Sequence, residues 1–271
     1  MPEDLLTVAV PPHRVWHRGG DRAVLALHCS LAHAGAWAGL AAALTGVTIT
    51  AIDQIGHGRA ADWDGISDLH AMATNDAIAM AEAIGAPVDF IGHSFGGTVA
   101  LRVALERPDL VRSLALVEPV IFAAARAGHA ATYDAFRAGH LGFAALVAAG
   151  DFAGAAAQFH GHWGTGERFA DLPERTRDYM VKRIGLIVAQ NPVLLDDAAG
   201  MLRAGRLEAV QVPVLLIEGA ESPAIIAAVH EALAARLPKV TRLVVPGAAH
   251  MVSITHAGVV AEAVQAHLDG C

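Results

Sequence analysis

Residues 88–98 read Val-Asp-Phe-Ile-Gly-His-Ser-Phe-Gly-Gly-Thr. The apolar, β-favouring run Val88–Ile91 predicts a short buried strand. Gly96–Arg107 has the period of a helix, and Pro108 stops it. Between the two, Gly92-His93-Ser94-Phe95-Gly96 has the spacing Gly-x-Ser-x-Gly. In that context the spacing describes a turn tight enough to push the serine hydroxyl out of a strained backbone. A Cβ at either flanking position would collide with the strand or the helix, so glycine is required there. Ser94 would then sit at a helix N-terminus, where partial positive charge favours a developing anion. The backbone N–H of Phe95 would face the same space and serve as one oxyanion donor.

Working outward, Val24–His28 and Val47–Asp53 read as strands, with a helical pattern over Ala36–Leu44 between them. Asp68–Ile84 reads as a helix with Asp68 as N-cap and Gly85 as its stop. Val111–Glu118 is the next strand, followed much later by Val214–Glu218, a helix over Ala224–Leu237, Thr241–Val245 and a last helix from His256. Thr7–Val10 and Arg14–His17 suggest a short antiparallel pair at the start. Strands joined through helices of this length imply right-handed crossovers, hence an α/β class with a mainly parallel central sheet flanked by helices.

From Pro119 to Leu207 the alternation stops. The interval is helical in period and carries Phe136, Phe159, His160, His162 and Trp163 without a strand pattern. The expected division is a core of residues 1–118 and 208–271, with 119–207 inserted as a helical lid.

Bulk properties narrow the function classes. The 271 residues are 54% hydrophobic and 17% charged, so a packed core is expected rather than disorder. A net charge of −8 offers no footprint for nucleic acid. No segment supplies the roughly 18 apolar residues that cross a bilayer, and Met1–Val10 lacks the pattern of a secretory leader. Two cysteines, Cys29 and Cys271, are too few for a disulfide framework. The expectation is a soluble, cytoplasmic protein acting on a small molecule, with no nucleic-acid or membrane partner. His160-x-His162, His129 and His140 lack companions at metal-ligand spacing. The glycine turn lacks the Lys-Ser/Thr ending of a phosphate loop, and no dinucleotide fingerprint precedes Asp53. No cofactor and no metal are implied, and oligomeric state is not legible.

Taken with its neighbours, the serine turn resembles that of the α/β-hydrolase superfamily, and the likeness covers most of the chain outside the helical interval. Leu27-His28-Cys29-Ser30 resembles the His-Gly-x segment after an early strand, which implies the Ser30 N–H as second oxyanion donor. Cys29 replaces the usual glycine, and a small buried thiol is its expected role. Asp53-Gln54-Ile55-Gly56-His57-Gly58 resembles the family's Asp-x-x-Gly-x-Gly turn. Pro246-Gly247-Ala248-Ala249-His250 resembles the loop that delivers the catalytic histidine, so His250 is the expected base. His93, beside the serine on a sharp turn, is expected to pack or hydrogen-bond, and His57 to be structural.

The acid has two candidates. The family's usual aspartate position, three residues past the glycine in Glu218-Gly219-Ala220-Glu221-Ser222, holds Ser222, with Glu221 one residue earlier. The strand Val111–Glu118 ends in Glu-Pro, a placement similar to the glutamate of some haloalkane dehalogenases. Glu118 is favoured because Glu221 needs a one-residue shift in loop register. The resemblance implies a serine hydrolase attacking a small to medium apolar ester, lactone or thioester through a Ser-His-Glu triad and an acyl-enzyme. Carbon–carbon bond hydrolysis with the same triad, and a non-catalytic ligand binder on this fold, are the alternatives.

Overall fold

The computed structural model describes residues 10–85 and 87–271. Among them six strands form one sheet: β1 (His13–Leu27), β2 (Val47–Ile52), β3 (Val88–His93), β4 (Val111–Val117), β5 (Val214–Gly219) and β6 (Val240–Val245). Their order is β2-β1-β3-β4-β5-β6, and neighbouring strands pair in parallel except for the first arm of β1, His13–Arg18, whose falling register against β2 is antiparallel.

The first strand has a form the sequence pattern did not show. His13–Leu27 is a single strand whose two arms both pair with β2. Arg22–Leu27 runs in rising register from Val47 to Ile52, whereas His13–Arg18 runs in falling register from Ile52 to Val47. A strand has two edges and the later arm also pairs with β3, so the first arm takes the outer edge of β2. The bend is made by Gly19, at φ 84°, and Gly20, where a Cβ would lie 2.3 Å from the Gly46 carbonyl oxygen. Arg14–His17 therefore pairs with β2. Thr7–Ala9, most of the expected partner strand, lies outside the described residues.

Alternation along the strands sorts the core into two layers. Leu25, Leu27, Phe90, Leu114, Leu116 and Leu216 face one side, where α2 (Leu69–Ile84), α3 (Phe95–Glu106) and a later helix, Ala224–Ala234, cover them. Val24, Ala26, Ile91, Ala115, Val117 and Ile217 face the other, packed on α1 (Ala38–Ala43) and the C-terminal helix Ala257–Asp269. Full burial of one such Leu or Phe side chain contributes about 1.5–3 kcal/mol. Asp68 caps α2 by accepting from the His70 and Ala71 amides, and Gly85 ends it at φ 94°. At the N-terminal ends of the strands, buried Asp89 accepts from Arg22, Arg112 and Ser113 and ties β1, β3 and β4 together.

Between β4 and β5 the described chain is helical: α4 (Ala130–Ala148), α5 (Phe152–Trp163), α6 (Glu174–Arg183), α7 (Gly185–Ala189) and α8 (Asn191–Leu194). Phe143, Ala155, Ala156, Met180, Ile184 and Ile187 give this segment a small core of its own. The remaining helices are α9 (Ala224–Ala234), α10 (Val252–Thr255) and α11 (Ala257–Asp269). No helix among the described residues is long and apolar enough to cross a membrane.

Candidate active site

Ser94 occupies the turn between β3 and α3 at φ 55° and ψ −118°, a conformation that costs a non-glycine residue on the order of 1–3 kcal/mol. Close packing enforces it. A Cβ on Gly92 would lie 2.4 Å from the Gly96 oxygen, and one on Gly96 would lie 2.2 Å from the Leu27 oxygen. The Ser94 N–H donates to the Val117 carbonyl at 2.8 Å, which fixes the turn to β4.

His250 follows β6 through Pro246 and Gly247, the latter at φ 72°. Its Nε2 lies 3.1 Å from the Ser94 hydroxyl and its Nδ1 lies 2.5 Å from Glu118 Oε2. A carboxylate only accepts, so Nδ1 carries the proton and Nε2 is left to accept from the serine. Glu118 stands directly after β4 at φ 46°, and its N–H is held by the Ile217 carbonyl at 2.9 Å. Its second oxygen accepts from the Gly219 N–H at 2.7 Å and from the Ser222 hydroxyl at 2.5 Å. Burial acts to raise this carboxyl. The hydrogen bond and charge of His250, then the Gly219 and Ser222 donors, outweigh it and hold the group below the usual carboxylate range. Ser222, at the usual aspartate position, thus reaches the glutamate from the neighbouring strand.

Glu221 is exposed. Its N–H donates to the Ala248 carbonyl at 2.8 Å, and its carboxylate makes no bond to His250. His93 points away from Ser94, as the turn geometry requires. Its Nε2–H donates to the His250 carbonyl at 2.9 Å, and the Ser253 hydroxyl donates to Nδ1 at 3.2 Å. Burial, and then the proximity of His250, push His93 down to about 3, so it stays neutral and holds the histidine loop.

The loop after β1 approaches the same space. Positive φ falls on Leu31, at 61°, and not on Cys29, so cysteine replaces glycine there without a backbone penalty. Burial pushes the Cys29 thiol up to about 12, which makes it an inert packing group. His28 anchors the loop by donating from Nδ1 to the Cys29 carbonyl and accepting at Nε2 from the Gln54 N–H. Burial, with the neighbouring His57, lowers it to about 3. His57 is buried, with Nδ1 on the Ile55 carbonyl. Asp53 accepts the Ala34 and Arg59 amides. The Ser30 and Phe95 amides donate to no other loop or turn carbonyl among the described residues; Phe95, first in α3, has no helical partner for its N–H.

The helical segment closes the space above Ser94. Trp163 sets its ring edge-on to His250 at 4.6 Å between centroids. The Gln190 side-chain amide pairs with the Ser30 hydroxyl at 2.9 and 3.1 Å. Neither Gln190 nor Asn191, which also lines the space, carried a sequence signal. Trp163 was visible only as one aromatic residue among several.

Comparison with known proteins bears on family and fold. The chain is 39% identical over 108 residues to the Mycobacterium tuberculosis protein named lipase LipV, covering 38% of this chain and 39% of that one. It is 30% identical over 120 residues to human monoglyceride lipase, covering 41% and 39%. These matches span about two fifths of each relative's length. A hydrolase from Pseudomonas aeruginosa superposes with a TM-score of 0.72 at 23% identity, over 94% of this chain and 93% of that one, a likeness of fold. The family profile described as alpha/beta hydrolase fold matches residues 22–257, and the chain belongs to that family.

Proposed function

We propose that the protein is a serine hydrolase that cleaves an ester, lactone or thioester of a small to medium apolar substrate by two-step acyl transfer. One observation carries the reading: the unbroken hydrogen-bonded line from Glu118 Oε2 through His250 to the Ser94 hydroxyl, 2.5 and then 3.1 Å. In the first step His250 Nε2 takes the serine proton as Oγ attacks the carbonyl carbon. Glu118 keeps its own charge, holds the imidazole in the Nδ1–H form and stabilises the cation that forms. The Ser30 and Phe95 amides, together with the N-terminus of α3, receive the oxyanion. His250 then returns its proton to the departing group, and in the second step activates water to release the acid.

The helical segment 119–207 acts as the lid. Its Trp163 and Gln190 reach His250 and Ser30, which supports a role in shaping what meets the serine. Incubation with a fluorophosphonate probe tests the proposal. Covalent labelling of the wild type, absent in Ser94→Ala, is the expected result. A folded wild type that takes no label would instead favour a ligand binder on this fold.

A further inference from the structure

The turn that carries the Ser30 N–H is held from two sides. On the core side, the Ala32 N–H donates to the Cys29 carbonyl at 3.2 Å and closes a four-residue turn over residues 29–32. The same carbonyl accepts from His28 Nδ1. A peptide is planar and trans, so fixing the Cys29 oxygen fixes the Ser30 N–H on the opposite side. The third position of the turn belongs to Leu31 at φ 61°, a geometry that turns usually assign to glycine or asparagine. It costs a leucine on the order of 1–3 kcal/mol and persists only where the surroundings over-determine it.

On the other side the helical segment meets three consecutive residues of the turn. The Ser30 hydroxyl meets the Gln190 amide at 2.9 and 3.1 Å, and Gln190 is buried at the junction of α7 and α8. The Leu31 side chain packs on the segment's own small core. The Ala32 carbonyl accepts from the Tyr179 hydroxyl of α6 at 3.0 Å, and that hydroxyl oxygen accepts the Gly58 N–H at 2.9 Å. Tyr179 thus ties α6 to two core loops at once. Burial raises its phenol above the ordinary value, so it keeps the proton it donates. The Arg183 guanidinium lies over its ring at 4.0 Å and donates to the Gly56 carbonyl, which steadies the ring.

We propose that Tyr179 and Gln190 are positioning residues for the oxyanion donor: the helical segment assembles the Ser30 side of the oxyanion hole as well as covering it. Gln190 acts through the Ser30 side chain and Tyr179 through Ala32, and together they hold Leu31 in its strained geometry. The consequence for catalysis rests on the serine-hydrolase reading, whereas the clamp on the turn does not.

Two variants test it. Tyr179→Phe keeps the ring beside Arg183 and removes only the hydroxyl; Gln190→Met keeps the length and removes the amide. Amide hydrogen exchange, followed by mass spectrometry over a peptide spanning residues 28–34, is expected to speed up on the order of tenfold in each. Turnover of a p-nitrophenyl ester is expected to fall on the order of tenfold in kcat with KM unchanged, less than the roughly 10²–10³-fold of deleting a donor outright. The matching thionoester separates positioning from general damage. Its developing sulfur anion is a poorer hydrogen-bond acceptor, so its turnover is expected to fall clearly less than that of the ester. Unchanged exchange in either variant, or equal losses on ester and thionoester, overturns the proposal. Faster exchange in variants of a protein whose wild type hydrolyses neither ester supports the clamp and removes the hydrolase reading instead.

Discussion

Glu118 reaches the imidazole from β4 because its backbone adopts φ 46° just before Pro119. The preceding-proline position disfavours that geometry, so the donors from Gly219 and Ser222 hold strain in place. Glu118→Gln is expected to keep the fold and lower ester turnover on the order of 10⁴-fold, because an amide no longer selects the Nδ1–H tautomer. Steady-state kcat on a p-nitrophenyl ester measures it, and near wild-type turnover would remove Glu118 from the reaction. Ser222 lies within 2.5 Å of the glutamate, which opens a second experiment. Glu118→Ala is expected to regain at least about tenfold in kcat when Ser222→Asp is added, since the new carboxylate enters the same space. If the double variant is as slow as the single one, the two strands do not address the imidazole interchangeably. Sequence spacing placed Ser94, His250 and both glutamates at one edge of the sheet. Loop register favoured Glu118 over Glu221, whereas the donor that Ser222 supplies to Glu118 is announced by no spacing rule.

At the level of elements, the turn between β3 and α3 is the least forgiving place in the chain. Gly96→Ala would put a Cβ 2.2 Å from one carbonyl oxygen and 2.6 Å from the next, both in the segment leading to Ser30. The expected outcome is a loss of at least about 3 kcal/mol, read as a lowered thermal midpoint or as failure to accumulate folded protein. Normal stability would mean that β1 and α3 can part without cost. The β-strands and their helices were legible because each carried its own period and stop signal, as Asp68 and Gly85 do for α2. The double arm of β1 was not. Its bend depends on Gly20 passing against Gly46, a contact between residues distant in sequence. Helical period likewise marked the segment between β4 and β5, while the pairing of Phe136 and His140 with Phe159 and Trp163 emerges only from packing.

For the whole molecule, histidines set the response to acid. Burial is the leading cause in each case, holding His28, His70 and His93 at about 3 and His57 and His230 at about 4, below the ordinary 6.5. The unfolded chain therefore binds more protons than the folded one between those values. Stability is complete above about 6.5 and falls as the pH drops toward the folded values, by up to about 1.4 kcal/mol per pH unit for each group. Glu118, lowered by its partners, acts in the same direction at more acid pH. The urea midpoint is expected to be clearly lower at pH 5 than at pH 7. An unchanged midpoint would mean these rings find water or partners when charged.

The straddling of β2 by both arms of β1 also decides what the rims of the sheet offer to a neighbouring molecule. Among the described residues, one rim is the short first arm, where Arg18 donates to the Ala42 and Leu44 carbonyls; the other is β6, where Arg242 pairs with Glu218. Bringing two such rims together would require these long side chains to give up their partners before interchain backbone bonds could form. A chain that is 54% hydrophobic thus keeps its most apolar strands, β3 and β4, at the centre of the sheet and leaves long, partnered side chains at the margins of the described residues.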